Sequence, residues 1–127
     1  MNTALKILIG LTSILFIILG ARWGIDPSGA AGQLGMPLLE GLGMSAQIGN
    51  VGAALLGMGI MILLGLTSQN PVWFYAPAIL LSLVASFRSI AWLLHGAPFA
   101  LQEIAIEIVL VVLLIIAAGR AKKLTSA

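Results

Sequence analysis

Three ionisable residues in this chain, Arg88, Glu103 and Glu107, stand inside stretches that are otherwise apolar. A charged side chain at the centre of a bilayer costs roughly 2.5–3.5 kcal/mol on insertion scales, so such residues usually face a bundle interior and have a partner. An arginine beside two carboxylates can form an ion pair, bind the polar head of a ligand, or take part in proton transfer. All three kinds of chemistry require helices that hold these side chains at a common depth.

The composition of the chain places these residues in a membrane rather than in a soluble domain. Of its 127 residues, 61% are hydrophobic and 8% are charged, and the mean hydropathy is +1.16. Soluble domains have about 25% charged residues, and a chain of this size has too little interior to hide so much apolar surface from water. Because the sequence has no cysteine, disulfides, thiolate zinc sites, iron–sulfur clusters and covalently attached haem are excluded.

Four apolar segments are long enough to cross a bilayer, which takes about 20 residues. Unpaired backbone groups are too costly in lipid for any other spanning structure, so each segment is predicted to be helical. The sequence therefore predicts one all-α domain, an integral membrane four-helix bundle. We treat the first segment as an uncleaved anchor, because Leu19-Gly20-Ala21 puts a large residue where a signal cleavage site needs a small one. The segments are residues 4–21, 46–66, 72–94 and 99–118.

The basic residues at the two ends of the chain predict its orientation. Lys6 precedes the first segment, and Arg120, Lys122 and Lys123 follow the last one. Cations beside membrane spans favour the cytoplasmic side, and this explains the cluster better than nucleic-acid binding does. We expect both termini in the cytoplasm, and the connections between spans one and two and between spans three and four on the outer side.

The connection between the first two spans contains a predicted short helix. Asp26 followed by Pro27 is typical of a helix start, with a capping carboxylate and proline at the first helical position. Gly35 and then Pro37 would end that helix. It would lie on the membrane surface or cover the bundle, and a plain connecting loop is the alternative.

Small residues recur along spans two and three at intervals that bring them to one helix face. Such stripes let helix backbones approach closely, so we expect them to pack within the protomer, with a homodimer interface as the competing interpretation. The members are Gly49, Ala53 and Gly57 in span two, with Gly52 and Gly59 nearby, and Ser82, Ser86 and Ser89 in span three.

Depth in the membrane predicts which ionisable residues meet. Spans three and four form an antiparallel hairpin whose turn centres near Ala97. At 1.5 Å per residue, Arg88 lies about 10 Å below the outer end of span three. Reflection through position 97 puts Glu107 at nearly the same depth, so an Arg88–Glu107 ion pair is expected. Glu103 lies one turn nearer the outer end of span four.

The remaining candidate site residues lie toward the same outer end. Trp92 and His95 share a helical stripe with Arg88, while Gln47 and Asn50 begin span two and could supply hydrogen bonds. A metal site is not expected, because the Glu-x-x-His pattern of di-iron bundles is missing and Arg88 would repel a cation. The constellation is compatible with a purely structural pair, with ligand binding, or with proton-linked transport.

The order of these features resembles a bacterial four-helix membrane family of unknown function that is related in architecture to the DoxX-like proteins. The resemblance covers nearly the whole chain, and it implies a four-helix bundle in a bacterial inner membrane with no established activity. It rests on Asp26-Pro27, Leu34-Gly35, Asn50-Val51-Gly52, Leu56-Gly57, Arg88 and Glu107. Members of that family often carry an acid near the position of His95, where this chain differs.

These observations predict a small, non-enzymatic inner-membrane protein without a cofactor, since no catalytic sequence motif is present. Its polar pocket in the outer leaflet would bind a membrane lipid, another lipophilic molecule, or a partner membrane subunit. Arg88 would anchor a polar or anionic head, and Glu103 and Glu107 would shape and neutralise the site. The alternatives are a proton-coupled small-molecule exporter acting as a dimer, and an accessory subunit of a quinone-linked redox complex.

Overall fold

The computed structural model describes the backbone of residues 1–126 and the side chains of residues 1–121. The fold is all-α, as the sequence predicts, and the short helix after the first span is present. The side chains of Lys122 and Lys123, two of the predicted cytoplasmic cations, lie outside the described residues. The helices are α1 (Thr3–Ile25), α2 (Pro27–Gln33), α3 (Leu42–Ala46), α4 (Ala53–Ser68), α5 (Val72–His95) and α6 (Leu101–Ser126), and a π-helical segment covers Gln47–Gly52.

Four helical stretches have the length and apolar composition of membrane spans. They correspond to the four predicted segments, and the second is continuous through α3, the π-helical segment and α4. The chain is therefore a small multi-pass membrane protein by the length and composition of its helices. The four stretches are Thr3–Ile25, Leu42–Ser68, Val72–His95 and Leu101–Ala121.

The long helices pack as two antiparallel pairs. α1 packs chiefly against α4, and α5 packs chiefly against α6; α4 joins the two pairs through α5, and α1 also touches α6. The main core draws on all four long helices and lies toward the end of the bundle that holds both chain termini, which we call the termini end. Its buried members are Ile9, Phe16, Met58, Ile62, Phe74, Ala78, Leu81, Leu114, Ala117, Ala118 and Ala121.

The opposite end, where α5 turns into α6, has a smaller core, and we call it the turn end. Trp23, Ala30 and Ala31 form the buried cluster there, between α1 and α2. The buried residues of α5 all precede residue 82. At the turn end the α5–α6 pair therefore packs mainly on itself, and much of its surface is left uncovered by α1 and α4.

Close contact between α1 and α4 depends on glycine. A Cβ atom at Gly20 would lie 2.6 Å from the Cα atom of Leu56, and one at Gly59 would lie 2.9 Å from the carbonyl oxygen of Ser13. The Ser13 hydroxyl donates a 2.8 Å hydrogen bond to the carbonyl oxygen of Gly59. The absence of side chains at Gly20 and Gly59 is what allows the two backbones to approach so closely.

The prediction that Gly49, Ala53 and Gly57 form the packing face of span two is wrong. A Cβ atom at Gly49 or Gly57 would have no described atom of another helix within 4 Å, and Ala53 is exposed. Gly52 and Gly59 make the contacts instead, against Trp23 and Ser13. Small residues in span two recur both four and seven residues apart. The pair that is seven residues apart, Gly52 and Gly59, is the one that faces α1.

Removing the hydrogen bond between α1 and α4 should have a modest effect. Ser13→Ala is expected to lower the free energy of unfolding by about 0.6 kcal/mol, and by no more than about 1.7, the range for hydrogen bonds between membrane helices. Thr12→Val is the matched control, because among the described residues the Thr12 hydroxyl bonds only to the Leu8 carbonyl oxygen of its own helix. Steric-trapping unfolding in bicelles measures both, and equal effects would contradict an interhelical role for Ser13.

Capping residues fix the start of α2 and the end of α5 where the sequence predicts them. Asp26 caps α2 by accepting a 3.2 Å hydrogen bond from the Gly29 amide, and Pro27 is its first residue. Gly96, with φ of +72°, ends α5, and the Ala97 amide donates back to the Ala91 carbonyl at 3.1 Å. The glycine supplies the left-handed conformation that this C-terminal cap requires, so the hairpin turns beside Ala97, as expected.

Candidate functional site

The structure brings Arg88 and Glu107 together across the α5–α6 pair. The Nε atom of Arg88 donates to the Oε1 atom of Glu107 at 2.6 Å. The Glu107 side chain is 9% exposed, whereas that of Arg88 is 36% exposed. The ion pair expected from equal depth is therefore present, with its carboxylate buried and its guanidinium open to the surroundings.

Both members of the pair retain hydrogen-bonding capacity. The Oε2 atom of Glu107 is buried and has no hydrogen-bond partner among the described residues. The contact with Glu107 uses Nε of Arg88, and the described part of the chain offers no hydrogen bond to Nη1 or Nη2. Since a buried polar atom without a partner costs about 1–3 kcal/mol, an added group that bonds to Glu107 Oε2 would be stabilised.

The other expected site residues at the turn end lie outside this contact. Glu103 is exposed on the first turn of α6, one helical turn before Glu107. His95 is exposed at the last position of α5. Trp92 is 44% exposed and packs against Phe99, with ring centroids 4.7 Å apart and ring planes inclined at 48°. The aromatic pair joins the end of α5 to the segment before α6, one helical turn beyond Arg88.

Gln47 and Asn50 belong to the π-helical segment and do not bond to the pair. Gln47 is buried, and its Oε1 atom accepts from the Leu39 amide at 2.7 Å while its Nε2 atom donates to the Pro37 carbonyl at 3.0 Å. It holds the connection before α3 against the start of span two. Asn50 is exposed. The sequence predicts the correct end of the bundle for both residues but does not predict the loop contact of Gln47.

The π-helical segment itself was not predicted from the sequence. A π turn pairs residues five apart, so Gln47 and Gly52 return to one face, and both are buried. π-helical turns in α-helices are frequent at functional sites. Here the π turn lets Gln47 bond to the preceding connection and lets Gly52 pack against Trp23.

Two adjoining grooves run along the surface of the α5–α6 pair and were not predicted as a site. Their volumes are about 330 and 310 Å³, and both include Ser82 and Val111 in their walls. The serine stripe of span three was the signal for them, because small side chains on α5 leave space beside α6. The first groove is lined by Ser82, Ala85, Ser86, Ser89, Ile104, Ile108, Val111 and Val112.

The serines of the grooves have satisfied donors. The Ser82 and Ser86 hydroxyls each donate to the carbonyl oxygen four residues earlier at 2.8 Å, and Ser89 does so at 3.1 Å. These serine hydroxyls therefore need no hydrogen bond from a molecule in the groove. No three His, Asp or Glu side chains of the described residues are close enough to ligate a metal ion.

Comparison with protein-family models, with curated proteins and with solved structures gives no match to this chain. The resemblance to DoxX-like architecture therefore stays a prediction.

Proposed function

We propose that this is a non-enzymatic membrane protein that binds a lipophilic molecule, whose polar head is held by Arg88 and Glu107. The membrane would be a bacterial inner membrane, as the resemblance implies, and both termini would lie in the cytoplasm, because Lys6, Arg120, Lys122 and Lys123 flank the first and last spans at the ends of the chain. The turn end would then lie in the outer leaflet.

The proposal rests on one observation: the ion pair uses only one nitrogen atom of Arg88 and one oxygen atom of Glu107. Among the described residues, the buried Oε2 atom of Glu107 has no hydrogen-bond partner, and Nη1 and Nη2 of the partly exposed Arg88 guanidinium have none either. A pair that served helix packing alone would gain most by using both carboxylate oxygens, because buried ion pairs repay their desolvation only when the remaining polar atoms are bonded. A ligand head that bonds to both residues would complete the site.

The surroundings of the pair support a lipophilic ligand. The α5–α6 surface at the turn end is largely uncovered by α1 and α4, so a molecule can approach from the lipid. Exposed apolar side chains border it, among them Phe87, Leu83 and Ile108. A water-soluble ligand would have to cross this apolar border, whereas a lipophilic one would be concentrated beside it.

Native mass spectrometry of protein extracted from its own membrane in a polymer nanodisc tests the proposal. We expect wild type to retain an adduct of lipid mass, and Arg88→Leu/Glu107→Leu to lose it. The double variant is preferred to a single one because it leaves no unpaired charge. Arg22→Leu is the control, since Arg22 pairs with Asp26 at the surface, and it should keep the adduct.

Two results would contradict the proposal. One is wild type without any adduct of lipid mass. The other is a double variant that folds and retains the adduct to the same extent. An adduct of polypeptide mass that depends on the pair would replace the lipophilic ligand with a partner subunit.

A further inference from the structure

We propose that the ligand is a lipid whose head carries a phosphate and a primary ammonium, with the phosphate on Arg88 and the ammonium on Glu103 and Glu107. This rests on the proposed function and names the ligand class of the same site. Three features support it: the face of the α5–α6 hairpin that these residues share, the polar atoms that they leave unused, and the order of their charges with depth.

The inner face of the hairpin continues past the main core as a polar surface. Residues seven apart on a helix return to the same face. On α5, Arg88 follows Leu81 at this interval, and on α6, Glu107 precedes Leu114 at the same interval. Leu81 and Leu114 are buried in the main core, so Arg88 and Glu107 lie on the same side of the hairpin, nearer the turn end. Glu103, four residues before Glu107, shares that face.

The polar part of this face is open to a ligand. The side chain of Arg88 is 36% exposed, and Glu103 is exposed. At this end of the bundle α1 packs against α2 around the buried Trp23, so the α1–α4 pair leaves both side chains uncovered. The Oε2 atom of Glu107 is buried in the free protein, and a bond to it requires a side-chain movement of the kind that is common on binding.

The unused polar atoms on this face carry charges of both signs. Within the described part of the chain, Nη1 and Nη2 of Arg88 have no hydrogen-bond partner, and Oε2 of Glu107 has none. The carboxylate of Glu103 likewise makes no hydrogen bond or ion pair with another described residue. Guanidinium groups bind phosphate through paired N–H donors, and carboxylates accept hydrogen bonds from ammonium groups. A head that carries both ions therefore has a counter-charge for each of them.

Other head groups complement only part of this face. An anionic phosphoglycerol head would bond to Arg88, but it offers no cation to Glu103 and adds a negative charge beside two carboxylates. Like charges repel strongly where the local dielectric is low. A phosphocholine head carries a quaternary ammonium, which has no N–H group to donate, whereas a primary ammonium has three donors. The two carboxylates therefore favour the primary ammonium.

The order of the charges along the bundle matches their order within such a head. Glu103 lies one helical turn, about 6 Å, nearer the turn end than Glu107, and Glu107 is paired with Arg88. In a lipid whose head points toward the turn end, the ammonium lies farther from the acyl chains than the phosphate does. Arg88 would therefore meet the phosphate at the deeper level, and Glu103 would meet the ammonium at the shallower one.

Arg88 lies close enough to the membrane surface to reach a phosphate. α5 has 24 residues, which is about 36 Å at 1.5 Å per residue, so a centred helix extends about 3 Å beyond each side of a ~30 Å hydrocarbon core. Arg88 precedes His95, the last residue of α5, by about 10 Å along the axis. Its Cα atom is then about 7 Å inside the hydrocarbon, and long arginine side chains extend from such positions to the interface.

Lipid titration of the delipidated full-length protein, read by native mass spectrometry, tests this inference. The probes are dioleoylphosphatidylethanolamine, dioleoylphosphatidylcholine and dioleoylphosphatidylglycerol, which have the same chains and different heads. We expect phosphatidylethanolamine to bind about tenfold more tightly than either of the others.

Glu103→Gln should abolish the roughly tenfold preference for phosphatidylethanolamine over phosphatidylglycerol, because it removes the charge that faces the ammonium. Glu103 is exposed and bonds to no other described residue, so the variant should fold as wild type does. Glu40→Gln is the matched control. Glu40 is an exposed carboxylate in the connection before α3, and its variant should retain the preference in full.

Equal or tighter binding of phosphatidylcholine or phosphatidylglycerol by wild type would overturn the inference, and so would a Glu103→Gln variant with the wild-type preference. Displacement of the lipid by an equal concentration of soluble O-phosphoethanolamine would also overturn it, because the head alone would then be the ligand. If the native adduct depends on Arg88 and Glu107 but is a lipid without a primary ammonium, the proposed function stands and this inference fails. If no lipophile depends on the pair, both fail.

Discussion

Arg88→Leu alone is expected to lower the free energy of unfolding by about 3 kcal/mol or more, because it leaves the buried Glu107 carboxylate without its partner. Arg88→Leu/Glu107→Leu is expected to restore wild-type stability or to exceed it by about 1–4 kcal/mol, since well-packed apolar residues often replace a buried pair without loss. Steric-trapping unfolding of wild type, the two single variants and the double variant gives the coupling energy directly.

The surface pair of Arg22 and Asp26 is the control for this cycle. Its atoms are 3.4 Å apart and its side chains are 40% and 55% exposed. Exposed pairs contribute about 0–1 kcal/mol, and the exposed Gln33 side chain accepts one further hydrogen bond from Arg22 at 2.9 Å, so Arg22→Leu should cost less than Arg88→Leu. A small effect of Arg88→Leu, equal to that of Arg22→Leu, would contradict the burial of Glu107.

Gly20→Ala is expected to destabilise the protein by about 3 kcal/mol, at the upper end of the range for overpacking. The new Cβ atom would lie 2.6 Å from the Cα atom and 2.7 Å from the Cβ atom of Leu56. Backbone atoms cannot rotate away as the end of a long side chain can, so α1 and α4 would have to separate. Unfolding in bicelles gives the magnitude.

Gly57→Ala is the matched control, because a Cβ atom at this position has no described atom of another helix within 4 Å. It should be neutral or should stabilise the protein by up to about 1 kcal/mol, the difference in helix propensity between the two residues. The reverse order of effects would mean that Gly57, and not Gly20, lies in the helix contact. A large loss in Gly57→Ala would point to a homodimer packed through that face.

The four spans and the short helix α2 could be predicted from the sequence because local chemistry determines them, whereas α3 extends the second span four residues before its predicted start at residue 46. Apolar length predicted the spans, Asp26-Pro27 predicted the start of α2, and Gly96 lies at the predicted turn. The Arg88–Glu107 contact followed from the same information, since a short turn between two helices determines which residues have equal depth.

It was harder to predict which face of each helix packs against its neighbours. Gly49, Ala53 and Gly57 form as regular a pattern as the residues that pack, and only the neighbouring helix determines which pattern is used. The π-helical segment changes the face presented by Gln47, and no residue in it signals an extra residue in the turn. The groove between α5 and α6 depends on the spacing of two helices, which is a tertiary property.

The reversed pair Arg88→Glu/Glu107→Arg tests the central claim most directly, because it retains both charges and exchanges their positions. A structural ion pair should tolerate the exchange, whereas a binding site should not, since donor and acceptor atoms change places. We predict that the reversed variant folds, with the helix content and elution volume of wild type, and that native mass spectrometry shows loss of the lipid-mass adduct. A folded reversed variant that retains the adduct in full would contradict the claim that Arg88 and Glu107 bind the ligand.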